Sequence, residues 1–142
     1  MPITDSEKNR RRALLKTHYD VENDHHMNGI MATFAPDGEM LYNRIPFTDP
    51  QSIRGAHVRI GFSGTDGAFK DIHHYIDFEH FTAEEIIVEG RLCGKHVGDF
   101  QGIEATGRNV ELPFVAFYHF DETDKLISER VVMNLGALIA SG

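Results

Sequence analysis

The order of hydrophobic and polar positions divides the chain into a helical first half and a strand-forming second half. The stretch TDSEKNRRRALLKTHYDVEND opens with Thr4 and Glu7 spaced as a capping box, and its apolar residues then recur at helical intervals, which predicts a first helix. The stretch NDHHMNGIMATFAPDG carries apolar residues from Met27 to Phe34 on one face and predicts a second helix that ends at PDG. After it, EMLYNRI predicts a short strand, PFTDPQSIRG a loop and AHVRIGF a short third helix.

Beyond this point the apolar positions alternate with a period of two, which is typical of strands. Four segments show this pattern: DIHHYIDFEHF from Asp71, EEIIVEGRLCGKHV from Glu84, NVELPFVAFYHFD from Asn109, and KLISERVVMNLGAL near the end. A run of helices followed by a run of strands indicates an α+β domain in which helices cover one face of a largely antiparallel sheet. The length of 142 residues fits one domain, residues 1–142, with a single core.

The glycine-rich stretch GKHVGDFQGIEATGR, residues 94–108, raises the question of a phosphate-binding loop. Such a loop leads from a strand into a helix, so that helix N-terminal amides meet the anion. Here the alternating pattern predicts a strand after the loop instead. Its glycines are therefore expected to supply positive-φ positions in a long hairpin loop, and His96 remains its one chemical candidate.

Composition narrows the classes of function. Fourteen basic and 22 acidic residues give a net charge of −8, which disfavours nucleic acid or an anionic membrane as partner. The single cysteine, Cys93, excludes an internal disulfide, and no apolar run approaches the length of a membrane span or signal peptide, so we expect a cytoplasmic protein. The nine histidines show no dense spacing of the H-x-H or H-E-x-x-H kind, so the sequence predicts no metal site, and only ligands distant in sequence would form one.

The stretch from Gly94 to Leu138 resembles the SnoaL-like polyketide cyclases. Their pattern is a G-x-H-x-G-x-F-x-G-x-x-x-T-G-R loop, a strand, a turn with GKI, and a terminal strand that ends in an aspartate; the chain has GKHVGDFQGIEATGR and ends its last strand with SERVVMN. Upstream, GAHVRIGF and GAFKDIHHYID are similar to that family's G-R-x-x-I-x-x-F and F-P-D-L-H segments. The resemblance covers nearly the whole chain.

This resemblance implies the nuclear transport factor-like superfold. In that α+β fold a strongly curved, mostly antiparallel sheet wraps about three helices to form a cone with one internal pocket, usually in a homodimer formed through the sheet. The same scaffold carries cyclases, isomerases, dehydratases, epoxide hydrolases and pure binding proteins, so the fold alone does not fix the function.

The resemblance further implies that the aspartate of the terminal strand acts as acid and base in an aldol closure without metal or cofactor. In this chain Asn134 occupies that position. An amide cannot take a proton from an acidic carbon near neutral pH. The base therefore lies elsewhere, or the chemistry differs, or the pocket only binds.

Three further residues are candidates for catalysis. His96 reaches the pocket if Leu92 on the same strand faces the interior, although a histidine at a strand end is more often structural. His73 and His74 point to opposite sides of their strand, so only one of them faces the cavity, and His74 is our candidate. Arg130 shares a strand face with Asn134 and would polarise a carbonyl beside it, or else pair with an acidic neighbour.

Other residues are expected to contact the substrate. The aromatic members would suit a flat, apolar ligand, but core packing explains them as well. The substrate-binding candidates are Tyr19, Phe34, Asn43, Phe62, Phe114 and Val132.

Three hypotheses remain open at this point. The first is a homodimeric, cofactor-free enzyme that cyclises or isomerises a small hydrophobic carbonyl metabolite. The second is a binding or accessory protein that keeps the pocket without the base. The third is water addition to an epoxide, or a dehydration, on the same scaffold.

Overall fold

The computed structural model describes residues 3–64 and 67–139, which form an α+β domain. The helices are α1 (Asp5–Asn23), α2 (Met27–Ala32), α3 (Pro50–Ile60) and α4 (Gly136–Ile139), and the strands are β1 (Phe34–Tyr42), β2 (Ile45–Phe47), β3 (Phe69–Phe81), β4 (Glu85–His96), β5 (Asn109–Phe120) and β6 (Leu126–Met133). The predicted order of helices followed by long strands is confirmed. No helix in the described ranges is long and apolar enough to cross a membrane.

One six-stranded sheet has the order β2-β1-β6-β5-β4-β3. All neighbouring strands pair antiparallel except β1 and β6, which are parallel because the chain crosses from one side of the sheet to the other between them. The three long strands β3, β4 and β5 come from the segments that the alternation identified. Their register places His74 opposite Leu92, and Leu92 opposite Leu112, so these three positions share one level of the sheet.

The alternation of buried and exposed residues along the strands identifies the inner face of the sheet. On β5 the residues Leu112, Phe114, Ala116 and Tyr118 are all buried, whereas their neighbours in sequence are partly or fully exposed. The core between this face and the first helices holds Leu15 of α1, Ile30 of α2 and Ile53 of α3, each at most 2% exposed. Helix α1 begins where Thr4 accepts a hydrogen bond from the Glu7 amide, as the capping box predicted.

Three elements differ from the sequence predictions. Helix α2 ends at Ala32, not at PDG, because Phe34 already pairs with Leu126 of β6 and the chain continues as β1 through an irregularity before Glu39. The segment predicted as a loop, PFTDPQSIRG, contains most of α3: Asp49 accepts from the Ser52 amide, and Pro50 takes the first helical position. The terminal segment also ends earlier as a strand, at Met133, and closes with the short helix α4.

The glycine-rich stretch is a hairpin loop between β4 and β5, as predicted. Positive φ angles occur at Gln101, Gly102 and Gly107, and Phe100 and Ile103 pair across the tip. His96 at the start of the loop accepts a hydrogen bond at Nδ1 from the Thr106 amide and stacks on Phe69. The stretch therefore organises the end of the sheet and does not open a helix.

Candidate functional site

Five ionisable side chains converge in the otherwise apolar interior, and we call them the interior cluster: His18 and Glu22 of α1, His57 of α3, His74 of β3 and Glu129 of β6. Four of them are at most 3% exposed, and the side chain of His74 is 9% exposed. Two buried carboxylates and three imidazoles in one place are costly unless they bind or transform something.

Glu22 is the centre of the interior cluster. One of its oxygens, Oε1, lies 3.3 Å from His18 Nε2 and 3.2 Å from His74 Nδ1, and the other, Oε2, lies 3.3 Å from His57 Nε2. His18 Nε2 is also 3.1 Å from Oε1 of Glu129. Helix α1 brings the first two together because His18 and Glu22 are four residues, about one turn, apart on its buried face.

The second ring nitrogens of His18 and His57 are engaged outside the interior cluster. His57 Nδ1 lies 2.8 Å from the carbonyl oxygen of Ile53, which can only accept, so this nitrogen carries a proton. His18 Nδ1 lies 2.8 Å from the Thr33 hydroxyl, whose own proton is donated to the Ile30 carbonyl at 2.6 Å, so His18 Nδ1 also donates. Both imidazoles therefore direct Nε2 at the carboxylates.

Three of the four short contacts inside the interior cluster, those that join His18 or His74 to a carboxylate, are not aligned as hydrogen bonds. Within residues 3–64 and 67–139, no group offers a well-aligned hydrogen-bond partner to the four atoms of these contacts: His18 Nε2, Glu22 Oε1, His74 Nδ1 and Glu129 Oε1. Such an arrangement suits an additional molecule or ion between them.

The charges of the interior cluster support one another. Burial lowers the pKa of His18, but the charges of Glu22 and Glu129 outweigh it, so the pKa of His18 is raised above its ordinary value. Burial likewise lowers the pKa of His57, but Glu22 raises it by more than burial lowers it, so the pKa of His57 is also above its ordinary value. Burial opposes ionisation of Glu22, yet His18, His74 and His57 together hold its pKa far below the usual range.

A cavity of about 20 Å³ adjoins the interior cluster, which is room for one water molecule or one ion. Its wall includes Glu22, His57, His74 and Glu129 together with the aromatic rings of Phe62, Phe114 and Tyr118. Phe34, another candidate, packs its ring edge-on against His18 and His57 behind the interior cluster. Of the predicted site residues, His74 thus belongs to the interior cluster, and Phe34, Phe62 and Phe114 surround it.

A pair of tyrosines lies beside the interior cluster. The hydroxyl groups of Tyr19 of α1 and Tyr118 share a hydrogen bond at 2.7 Å; when Tyr19 is the donor, the proton of Tyr118 is available for another acceptor. Burial raises the pKa of both phenols well above the ordinary value, so both stay protonated. Tyr118 lines the cavity and can donate a hydrogen bond to an oxygen bound there.

An apolar depression of about 450 Å³, which we call the vestibule, opens to solvent next to this cavity. Three residues, Tyr42, Ala56 and Ile60, line both spaces and so form the partition between them. The vestibule is further lined by Phe47, Phe100 and Gln101. A ligand with an apolar body would occupy the vestibule and direct one polar group past the partition.

Three residues predicted for the pocket lie on the opposite face of the sheet, so the expectation that they face the cavity is wrong. Arg130 is exposed and donates to Glu85 at 3.0 Å, and Val132 is 60% exposed. Asn134 follows the end of β6, is exposed, and accepts from the Gly136 amide at 3.0 Å as a cap of α4. The strand directs Glu129, Val131 and Met133 inward instead.

Two other candidates are structural neighbours of the site. His96 faces the interior, as Leu92 does, but it lies four residues further along β4, about 13 Å from the level of His74. Burial lowers its pKa. Asn43 occupies a positive-φ turn between β1 and β2, accepts from the Met133 amide at 2.7 Å and donates to Gln101 at the vestibule wall.

Sequence reasoning missed His18, Glu22, His57 and Glu129. One local signal was present: His18 and Glu22 are four apart on a predicted helix and lie among the apolar positions of its buried face. Glu129 alternates with the apolar residues Val131 and Met133, which marks the inner face of the strand. His57 lies in the predicted third helix, but its buried face went unrecognised because Ile53, one turn before it, was assigned to a loop.

The fold is that of the ketosteroid isomerase-like, nuclear transport factor-like domains. A solved protein with a ketosteroid isomerase-like fold from Catenulispora acidiphila DSM 44928, in complex with trimethylamine, is 14% identical, with 89% of each chain covered and a TM-score of 0.73. Residues 12–141 match the family model of the SnoaL-like polyketide cyclases. The chain belongs to this family.

Other solved structures have the same fold. A candidate SnoaL-like polyketide cyclase from Jannaschia Sp. CCS1 is 15% identical, with a TM-score of 0.78 over 92% of this chain and 90% of that one. The epoxide hydrolase/cyclase-like enzyme SalBIII, of pyran ring formation in salinomycin, is 10% identical, with a TM-score of 0.74 over 92% and 95%. At these identities the likeness establishes the fold only. The search among curated protein sequences gave no match.

Proposed function

We propose that this protein is an enzyme that moves a proton at a carbon next to the carbonyl of a small, largely apolar metabolite, and so catalyses an isomerisation or a cyclisation. The observation that carries the proposal is Glu129, a carboxylate 3% exposed that faces the interior cavity from the terminal strand. Its Oε1 lies 3.1 Å from His18 Nε2 but accepts no well-aligned hydrogen bond among the described residues. A buried carboxylate with an acceptor atom that no aligned donor occupies is a suitable general base.

Each group of the site has a part in this reaction. Glu129 takes the proton from the carbon, and the electron pair of the broken C–H bond moves into the carbonyl to form an enolate. Tyr118 donates a hydrogen bond to the enolate oxygen as negative charge develops there. In an isomerisation Glu129 returns the proton to another carbon of the enolate; in a cyclisation the enolate carbon attacks a second carbonyl, and the new alkoxide takes the proton.

The shape of the site limits the substrate. The inner cavity of about 20 Å³ accepts a single polar group, whereas the vestibule of about 450 Å³ accepts the apolar body. The family membership supports a carbonyl compound of polyketide type. A net charge of −8 disfavours a strongly anionic substrate.

A second candidate function is water addition to an epoxide. It is favoured by one observation, the room for one water molecule between Glu22, His57 and Glu129. A carboxylate would activate that water for attack on the ring, and Tyr118 would protonate the leaving oxygen.

The first test uses hydrogen exchange, which needs no knowledge of the natural substrate. Protein in D₂O is mixed with cyclohexanone or 2-heptanone, and loss of the α-proton signal is followed by NMR. The wild-type protein is expected to accelerate exchange, and Glu129→Gln to reduce the rate at least about 100-fold, as for loss of a general base. Tyr118→Phe is expected to reduce it less, because only one hydrogen bond to the oxygen is lost.

Matched controls separate chemistry from folding. Glu89→Gln makes the same change at an exposed glutamate, and Asn134→Ala changes the residue that the family resemblance pointed to; both should keep the wild-type rate. Far-UV circular dichroism verifies that each variant is folded. Equal exchange by wild type and a folded Glu129→Gln would contradict the proposal, and binding of the ketones without any exchange would favour the non-catalytic binding protein.

A further inference from the structure

We infer that the interior cluster binds one divalent transition-metal ion, zinc being the best match, through Nε2 of His18, Nε2 of His57 and a carboxylate oxygen of Glu22. The ligand atoms of these three fully buried residues lie within 4.8 Å of one another. Two histidines and one glutamate form a three-ligand set typical of catalytic zinc sites, which keep a fourth position for water or substrate. The inference rests on the proposed function only in placing the reacting centre at this cluster.

The distances from the two imidazoles to the Glu22 carboxylate are of the size found between ligands of a tetrahedral ion. Two donors about 2.0–2.1 Å from such an ion lie about 3.3–3.4 Å apart. His18 Nε2 lies 3.3 Å from Oε1 of Glu22, and His57 Nε2 lies 3.3 Å from Oε2 of the same carboxylate. Neither His18 Nε2 nor Glu22 Oε1 has a well-aligned hydrogen-bond partner in the described part of the chain, so both atoms are available as ligands.

The outer hydrogen bonds of both histidines support metal binding. A histidine that ligates a metal usually donates its other ring N–H to a carbonyl or a similar acceptor, which fixes the tautomer and the ring orientation. His57 donates from Nδ1 to the Ile53 carbonyl, and His18 donates from Nδ1 to Thr33, which is fixed by the Ile30 carbonyl. In the neutral form of both rings the lone pair is therefore on Nε2 and directed at Glu22.

Charge and space are also consistent with a divalent ion. Glu22 and Glu129 bring two negative charges into an apolar interior, and one ion of charge +2 neutralises them. The adjoining cavity of about 20 Å³ leaves room for the fourth ligand. Glu129 and His74 border this fourth position, so a carbonyl oxygen bound there would be polarised beside the proposed base.

The test measures metal binding directly and requires no turnover. Tag-free protein is freed of metal with a chelator, which is then removed by dialysis, and is reconstituted with Zn²⁺; bound metal is counted by inductively coupled plasma mass spectrometry. Co²⁺ is used as a second probe, because its visible absorption reports the coordination number. We expect one zinc per chain, a four-coordinate cobalt spectrum, and a higher midpoint of thermal unfolding with zinc.

Two isosteric or near-isosteric variants and one matched control accompany the wild type. Glu22→Gln and His57→Gln should each weaken zinc affinity at least about 10-fold and abolish the zinc-dependent rise in the unfolding midpoint. His80→Gln removes an exposed histidine that contacts Glu89 at 2.7 Å, a His–Glu pair of the same kind outside the interior, and should bind zinc as the wild type does. If Glu22→Gln does not fold, His57→Gln keeps the test decisive.

The outcomes separate this inference from the proposed function. A wild type that retains less than a tenth of an equivalent of zinc, or a loss of binding in His80→Gln equal to that in His57→Gln, overturns the inference. Glu129-dependent proton exchange in metal-free protein that binds no zinc would overturn it while leaving the proposed function intact. One zinc per chain without any proton exchange would support the inference and remove the proposed reaction.

Discussion

The interior charges make a specific prediction for the pH dependence of folding in the metal-free protein. His18 and His57 have raised pKa values in the folded state and an ordinary value near 6.5 when unfolded. Above pH 6.5 the folded protein therefore binds more protons than the unfolded chain does. This contribution to stability is fully present below pH 6.5 and is lost as the pH rises through the folded pKa values.

The size of this effect follows from the number of groups. Each proton held only by the folded state changes the free energy of unfolding by about 1.4 kcal/mol per pH unit. His18 and His57 together lower it by up to about 2.7 kcal/mol per unit between pH 6.5 and their folded pKa values. Glu22 has a lowered pKa, so its contribution is present above its unfolded value of 4.5 and is lost only as the pH falls below that value.

The perturbation is Glu22→Gln, which keeps the shape and removes the charge. His57 then loses the carboxylate 3.3 Å from its Nε2. His18 loses the same carboxylate at 3.3 Å but keeps Glu129 at 3.1 Å, and His74 also loses its contact with Glu22. The pKa values of His18 and His57 therefore fall, because burial continues to lower them and Glu129 is the carboxylate that remains to raise them. The slope above pH 6.5 should fall to about half or less, and the variant should be about 3–5 kcal/mol less stable near pH 6.5.

The measurement is urea unfolding at pH 6.5, 7.5 and 8.5 with excess chelator, for wild type, Glu22→Gln and Glu89→Gln. Glu89 is 49% exposed and touches His80 at 2.7 Å, so its replacement should change neither the stability nor the slope noticeably. Parallel curves of stability against pH for wild type and Glu22→Gln would refute the reasoning, because they would mean that Glu22 does not hold the proton of His57.

Three further predictions concern the frame of the site and its outer surface. Gly61→Ala should lower the free energy of unfolding by about 1–3 kcal/mol in thermal or urea unfolding, because φ at Gly61 is +132° and an added Cβ would meet the Phe69 carbonyl oxygen. Gly102→Ala is the control: φ there is +86° but the space is open, so the loss of stability should be smaller. His96→Ala should lower stability by about 1–3 kcal/mol and leave proton exchange unchanged, and a loss of exchange in a folded variant would return His96 to the chemistry. The outer face of the sheet exposes Phe78 by 63% and Val132 by 60% in one shallow groove. The family resemblance implies a homodimer formed through the sheet; if a second copy binds at this groove, Phe78→Glu should convert the dimer into a monomer in light scattering, and an unchanged mass would contradict this interface.

The local architecture was largely predictable because it depends on short-range patterns. Alternation identified β3, β4, β5 and β6, and the capping box identified the start of α1. The prediction was wrong where a pairing partner distant in sequence decides the structure. Phe34 continues the helical spacing of α2, yet it pairs with Leu126 in the parallel strand, 92 positions away, and becomes the first residue of β1.

The candidate site was only partly predictable because it is assembled from four elements. The sequence pointed to His74, which belongs to the interior cluster, and to Phe34, Phe62 and Phe114, which surround it. The sequence analysis assigned the wrong face of the terminal strand to the interior, because it took Asn134, the position of the family's aspartate, as facing the pocket. The apolar pair Val131 and Met133 indicated the other face, and that face carries Glu129.

The interior cluster makes this fold less stable than an apolar core would, and this loss of stability is evidence that the cluster has a function. Apolar side chains of similar volume in place of buried charged groups are often neutral or stabilising by about 1–4 kcal/mol. The surrounding residues Met40, Ile60 and Phe62 show that this core accommodates such side chains at the same depth. Folding therefore does not require two carboxylates and three imidazoles here. Their convergence on one cavity, with acceptor atoms left without partners among the described residues, is explained by a bound ion or a reacting group that completes them.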